Sequence, residues 1–185
     1  MAIKRMDNVL IVVEDLEAAK AFFIELGLKF EGETTVEGPL VGSLIGLKDV
    51  RATLAMLRPP DGHGGIELDK FHTPDAVRFG PVDAPVNALG LRRVMFAVDD
   101  MDDVVARVRA HGAELIGEMQ YEDTYRLAYI RGPEGIIVGL AEEIGKSSKR
   151  TGKGAARPKA LSRAKPAGRK KAAPKGGGAP KGRKA

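Results

Sequence analysis

The chain has 185 residues, no cysteine, and 30 Lys and Arg against 25 Asp and Glu, for a formal charge of +5. Lack of cysteine excludes a disulfide scaffold and thiol chemistry and fits a reducing compartment. The charge is unevenly placed: residues 146–185 hold ten Lys and five Arg with no acidic residue, so residues 1–145 carry 15 basic against 25 acidic groups, a body near −10 beside a tail near +15.

No apolar run approaches the roughly 18 residues of a membrane span, and the first residues lack the apolar core of a signal peptide, so no membrane partner and a cytoplasmic location are expected. Residues 3–13 read as a buried strand. Residues 15–26 read as an amphipathic helix, with Leu16, Ala19, Phe22, Phe23 and Leu26 at helical spacing, Asp15 placed to cap the first turn and Gly27 to take a left-handed stop. Residues 28–35 alternate as a half-exposed strand, whereas 40–47 fit a short helix and a strand equally well. Residues 51–57 form the next strand, and the Pro59-Pro60-Asp61-Gly62 turn leads into another at 65–69. The first module, residues 1–71, is thus β, α and then three extended pieces. Residues 72–89, with Pro74, Pro81 and Pro85, form a connector.

The second module, residues 90–145, repeats that order. Strands are expected at 91–98, 114–118, 125–131 and 136–141, a helix at 100–110, and a turn at Gly132-Pro133-Glu134-Gly135. Residues 8–27 return without a gap as residues 93–112, with Val9 matching Val94, Val13 matching Val98, Asp15 matching Asp100, Ala21 matching Ala106 and Gly27 matching Gly112. The acidic runs Glu14-Asp15 and 99–103 sit at helix N-termini, where the helix dipole favours negative charge, so capping explains them. The expected fold class is α+β, two βαβββ modules.

The strand 8–13 with its acidic turn, the Pro60-Asp61-Gly62 turn before Ile66-Glu67-Leu68, and Tyr129 to Gly135 before a last strand resemble the vicinal oxygen chelate superfamily. That group contains glyoxalases, bleomycin-resistance proteins, extradiol dioxygenases and carbonyl-CoA epimerases. The resemblance implies two modules whose sheets curve into a cup around a small-molecule ligand, within one chain or across a homodimer. It also implies a divalent metal held by His or Glu from the first and last strand of each module. At those four positions this chain has Asn8, Glu67, Arg93 and Gly139. A guanidinium has no lone pair to offer a cation, and glycine offers only backbone. Catalytic metal sites normally use three protein ligands, so no metal and no cofactor are expected, with a divalent metal as the alternative. His63, His72 and His111 are assigned surface or capping roles beside loops and a helix end.

Arg93 and Glu67 would both project into the cup. Either they neutralise each other as an ion pair, or Arg93 receives a carboxylate, phosphate or enolate-like group of a ligand and Glu67 acts as a catalytic general base. Asn8, Glu67, Arg93, Tyr125 and Arg126 are the candidate ligand contacts. Tyr125 and Arg126 begin a strand that the resemblance places at the border of the cup, although ordinary sheet packing would also explain them.

The tail, with Lys146, Lys149, Arg150, Lys153, Arg157, Arg169, Lys170 and Lys171, is too poor in apolar residues to offset chain entropy and is expected to be disordered. Its lysine, proline and alanine resemble the tails of linker histones and some nucleoid proteins. This implies nonspecific binding of nucleic acid or another polyanion by charge, with a nucleoid-associated location, or screening of the acidic body. Three functions follow: a metal-independent small-molecule binder, a metal-dependent lyase, isomerase or dioxygenase, and an interaction protein tethered to nucleic acid.

Overall fold

The computed structural model describes residues 4–144, and the basic stretch with Lys146, Lys149, Arg150, Lys153, Arg157, Arg169, Lys170 and Lys171 lies outside them. Strand β1 (Asn8–Val12) leads into helix α1 (Leu16–Leu26), β2 (Lys29–Glu37), α2 (Pro39–Ile45), β3 (Arg51–Arg58) and β4 (Gly65–Thr73). The second half follows with β5 (Arg93–Val98), α3 (Met101–Ala110), β6 (Glu114–Tyr121), β7 (Tyr125–Arg131) and β8 (Ile137–Glu143). They form two four-stranded sheets, ordered β1-β4-β3-β2 and β5-β8-β7-β6. In each, the first strand runs parallel to the last and the other pairs are antiparallel. This is an α+β fold of two βαβββ modules.

Local chemistry explains the boundaries. The Asp15 carboxylate accepts from the Ala18 N–H and the Asp100 carboxylate from the Asp103 N–H, each satisfying a helix-start donor that has no partner inside the helix. Gly27 ends α1 in the left-handed conformation at φ 116°. Residues 39–45 resolve as helix because Pro39 supplies a preset φ at the first helical position and Gly46 a left-handed stop. Leu40 and Leu44 are 88% and 85% exposed there, so this helix buries no apolar face.

Three expected boundaries move by three residues or more. Strand β1 starts at Asn8 rather than residue 3, because its parallel partner β4 begins opposite it at Gly65. Strand β4 runs on to Thr73, which puts His72 inside a strand, with Nε2 at 2.8 Å from the Thr53 hydroxyl, rather than in a loop. Strand β6 extends to Tyr121, which pairs with Tyr125 across a tight turn at 122–124.

Side chains alternate across a strand, and burial follows that alternation. Val13, Ile66, Leu68, Ala55 and Leu57 from the first sheet, and Ala128, Ile130, Val138 and Leu140 from the second, are buried toward the helices. There they meet Phe22, Phe23 and Leu26 of α1 and Met101, Val104 and Val108 of α3 in one core shared by both modules. The rings of Phe22 and Phe23 pack edge to face at 5.1 Å. A Cβ added at Gly132 would come within 3.1 Å of the Phe22 ring, so α1 of the first module presses on the β7–β8 turn of the second. Among the described residues no helix is long and apolar enough to cross a membrane. The helix side of each sheet is therefore used up in folding, and the opposite side is left for other work.

Candidate functional site

On the first module, the side chains that face away from the helices start with Asn8, Leu10 and Val12 of β1. Register places Glu67 beside Leu10 and Met56, and Asp69 beside Val12 and Leu54, on that same side. The Asn8 side-chain amide donates a short hydrogen bond to Glu67 Oε2, so two of the expected residues do meet. Two positions along β4 is Asp69, only 6% exposed and with Oδ1 lacking any hydrogen-bond partner among the described residues. Burial, reinforced by the negative charge of Glu67, pushes its carboxyl up from 3.8 to about 6. Asp69 escaped the sequence reading because an Asp in an alternating strand reads as solvent-facing. Its spacing of two from Glu67 was the available signal.

The second module presents a different chemistry on the equivalent side. The Arg93 guanidinium carbon lies 4.7 Å from the centre of the Tyr129 ring, within the range of a cation–π contact. Gly139, paired with Met95 on one side and Tyr129 on the other, makes the space for it. A Cβ at Gly139 would lie 3.0 Å from Met95 Cε, 3.1 Å from Arg93 Cδ and 3.4 Å from Tyr129 Cε1. The missing side chain at 139 and the long one at 93 are one packing solution. Further along, Ile116, Gly117, Met119, Leu127 and Tyr129 line a shallow, mostly apolar cavity of about 250 Å³.

Two expected contacts are corrected. Arg93 and Glu67 form no ion pair: Glu67 is held by Asn8, and Arg93 lies on Tyr129. Arg126 does not share a face with Tyr125, because neighbours along a strand point to opposite sides. Tyr125 falls in step with Leu127 and Tyr129, whereas Arg126 falls in step with the buried Ala128 and Ile130, toward the helices. There its guanidinium donates a fork to Asp102 of α3 at 2.7 and 3.0 Å and a further bond to Glu142 at 3.2 Å. Bonding to the Arg126 guanidinium holds the Asp102 carboxyl below its ordinary value. Arg126 ties α3 to its sheet.

The four positions that the family resemblance assigns to a metal do not fit one. The Asn8 amide is engaged with Glu67, Arg93 brings a positive charge, and Gly139 has no donor. No group of three or more His, Asp or Glu side chains gathers to hold an ion among the described residues. His63 follows the turn at 59–62, with its backbone N–H bonded to Asp61, and His111 caps α3.

A family model for the Glyoxalase/Bleomycin resistance protein/Dioxygenase superfamily matches residues 5–140. The chain is 53% identical to a glyoxalase family protein from Bacillus cereus of known crystal structure, with a TM-score of 0.74 over 78% of this chain and 97% of that one. Structures of a glyoxalase family protein from Enterococcus faecalis and of a glyoxalase/bleomycin resistance protein/dioxygenase domain from Frankia share the fold. They are 22% and 20% identical, with TM-scores of 0.52 and 0.51; each alignment covers 77% of this chain, and 100% and 99% of the respective relative. Among curated proteins none matches. A duplicated βαβββ module, the paired sheets and a family match over most of the described residues agree: the chain belongs to the glyoxalase/bleomycin resistance protein/dioxygenase superfamily.

Proposed function

We propose that this protein binds a small organic molecule on the helix-free sides of its sheets without a metal ion, as a sequestering or carrier protein and not as a metalloenzyme. The observation that carries this reading is the Arg93–Tyr129–Gly139 arrangement, which puts a fixed cation and an aromatic face where the family resemblance would put a metal ligand. A guanidinium held over a ring offers its N–H edge to a carboxylate, phosphate or enolate oxygen, and the apolar surface beside it suits the body of the same molecule. Glu67 and Asn8 satisfy each other and suit a ligand group that both donates and accepts. The general-base role for Glu67 loses support, because one of its two oxygens is already engaged.

Two measurements test the proposal. Elemental analysis of the purified full-length chain should find no stoichiometric divalent ion, and zinc or nickel titrated by calorimetry should show no saturable site of one ion per chain. Stoichiometric metal in either experiment would overturn the reading and restore the metalloenzyme alternative.

A further inference from the structure

A second cavity, of about 450 Å³, lies away from the Arg93 arrangement, where the connector between the modules folds against the β1–α1 junction and the β7–β8 turn. Its walls are tied in place. The Arg131 guanidinium donates to the Val82, Ala84 and Gly135 carbonyls at 3.1, 3.3 and 3.4 Å. Gly135, at φ 79°, lies so close to the connector that a Cβ there would meet the Val82 carbonyl oxygen at 1.9 Å. On the opposite side the Glu14 N–H donates to Glu134 Oε1 at 2.9 Å, and Arg78 bridges the same two residues at 3.0 Å to Glu134 and 3.7 Å to Glu14. Two carboxylates and one guanidinium at the rim are thus accounted for.

Arg92 is the group left over. It lines this cavity, its side-chain Nε is buried without a hydrogen-bond partner, and its guanidinium makes no ion pair among the described residues. A buried donor on a permanent cation is costly unless something completes it, and Arg cannot lose its charge to escape that cost. Its lining is mixed: Val12, Val77, Pro81, Ala84, Ala88 and Leu89 are apolar, while Glu14, Arg78 and Glu134 are charged and paired with one another. The volume falls in the roughly 300–1,000 Å³ range of small-molecule sites.

We propose that this cavity is a second binding site, for an amphipathic monoanion such as a medium-chain or aromatic carboxylate. The acid group lies on Arg92 and the hydrocarbon along the apolar connector wall. The proposal does not rest on the reading offered for Arg93, since none of Arg93, Tyr129 and Gly139 lines this cavity.

The test uses decanoate and decan-1-ol as probes, titrated by calorimetry into the full-length chain at moderate salt. Arg92→Met should weaken decanoate by tenfold or more and leave decanol within twofold, because only the charge is removed. The basic tail is the same in both proteins and cancels in the comparison. The melting temperature of ligand-free Arg92→Met should hold or rise, as a group kept for a ligand is a burden to the empty fold. Should that variant not fold, Ala88→Phe fills the cavity from its other wall and should abolish binding of both probes. The proposal is overturned by failure of the parent chain to bind decanoate, by equal loss of acid and alcohol in Arg92→Met, or by a lowered melting temperature with unchanged decanoate affinity. Undiminished binding of both probes to Ala88→Phe would overturn it equally.

Discussion

Replacing Asp69 by Asn should stabilise this protein at neutral pH and do almost nothing in acid. Asp69 is buried on β4 with an unpartnered oxygen, and its carboxyl is raised from 3.8 to about 6, first by burial and then by Glu67. A group whose folded value lies above its unfolded value binds its proton more tightly in the folded state. The contribution of Asp69 to stability is therefore full below about pH 4 and is lost as the pH rises through 6. At about 1.4 kcal/mol for each tenfold change in acidity, ionising Asp69 in the fold costs about 3 kcal/mol at pH 7.5. Asn has the same shape and never carries the charge, so the gain from the variant should grow from near zero at about pH 3 to about 3 kcal/mol at pH 7.5. Urea unfolding of the parent and variant at half-unit intervals measures the difference, and subtraction removes every other titrating group. A pH-independent difference would refute the argument, as would a variant less stable at pH 7.5, which would show that the Asp69 carboxylate is held by a favourable contact.

Gly139→Val should destabilise by about 1–3 kcal/mol, since the added carbons overlap Arg93 and Met95; near-ultraviolet circular dichroism should show the Tyr129 environment change, and an unaltered tyrosine signal would contradict the shared packing of 93 and 139. Arg126→Met should lower stability by about 1 kcal/mol through loss of its bond to Glu142, whose side chain is only 16% exposed. Binding of ligands to the parent and the Arg126 variant should be equal by calorimetry, and a selective loss of affinity would return Arg126 to the binding face. Full-length protein should bind unrelated DNA duplexes alike in low salt, with log affinity falling by about 0.9 per log unit of salt for each phosphate contacted. A salt titration by fluorescence anisotropy checks this, and strong sequence preference would count against an electrostatic tail.

What was legible in the chain was whatever depends on near neighbours. Asp15 and Asp100 announce their helices because a cap acts over three residues, and the strand-helix repeat from 8 to 27 and 93 to 112 shows in the spacing of apolar side chains. What was hidden depends on partners distant in sequence. Arg93 finds Tyr129 and not Glu67 because residue 139 has no side chain, a fact about three strands at once. Asp69 is buried by tertiary packing that its own strand does not reveal. Arg126 stands between these cases: strand alternation with Ala128 and Ile130 already put it on the helix side, and only its place at the start of a strand that borders the cup in the resembling family suggested otherwise.

Duplication without symmetry has a consequence for how the two halves can change. A dimer of identical one-module chains would have to present the same residues twice, since a single gene writes both halves. Here the halves are written separately, and they have kept one side in common while parting on the other. Toward the helices Val9 answers Val94, Val13 answers Val98 and Leu16 answers Met101, whereas on the opposite side Asn8 answers Arg93 and Glu67 answers Gly139. Exchanging matched residues between halves should accordingly be mild on the first side and disruptive on the second, where an anionic half and a cationic half are no longer interchangeable. The chain keeps the economy of a repeat in its core and has given up that economy on the opposite side, where the matched positions of its two halves differ in sign.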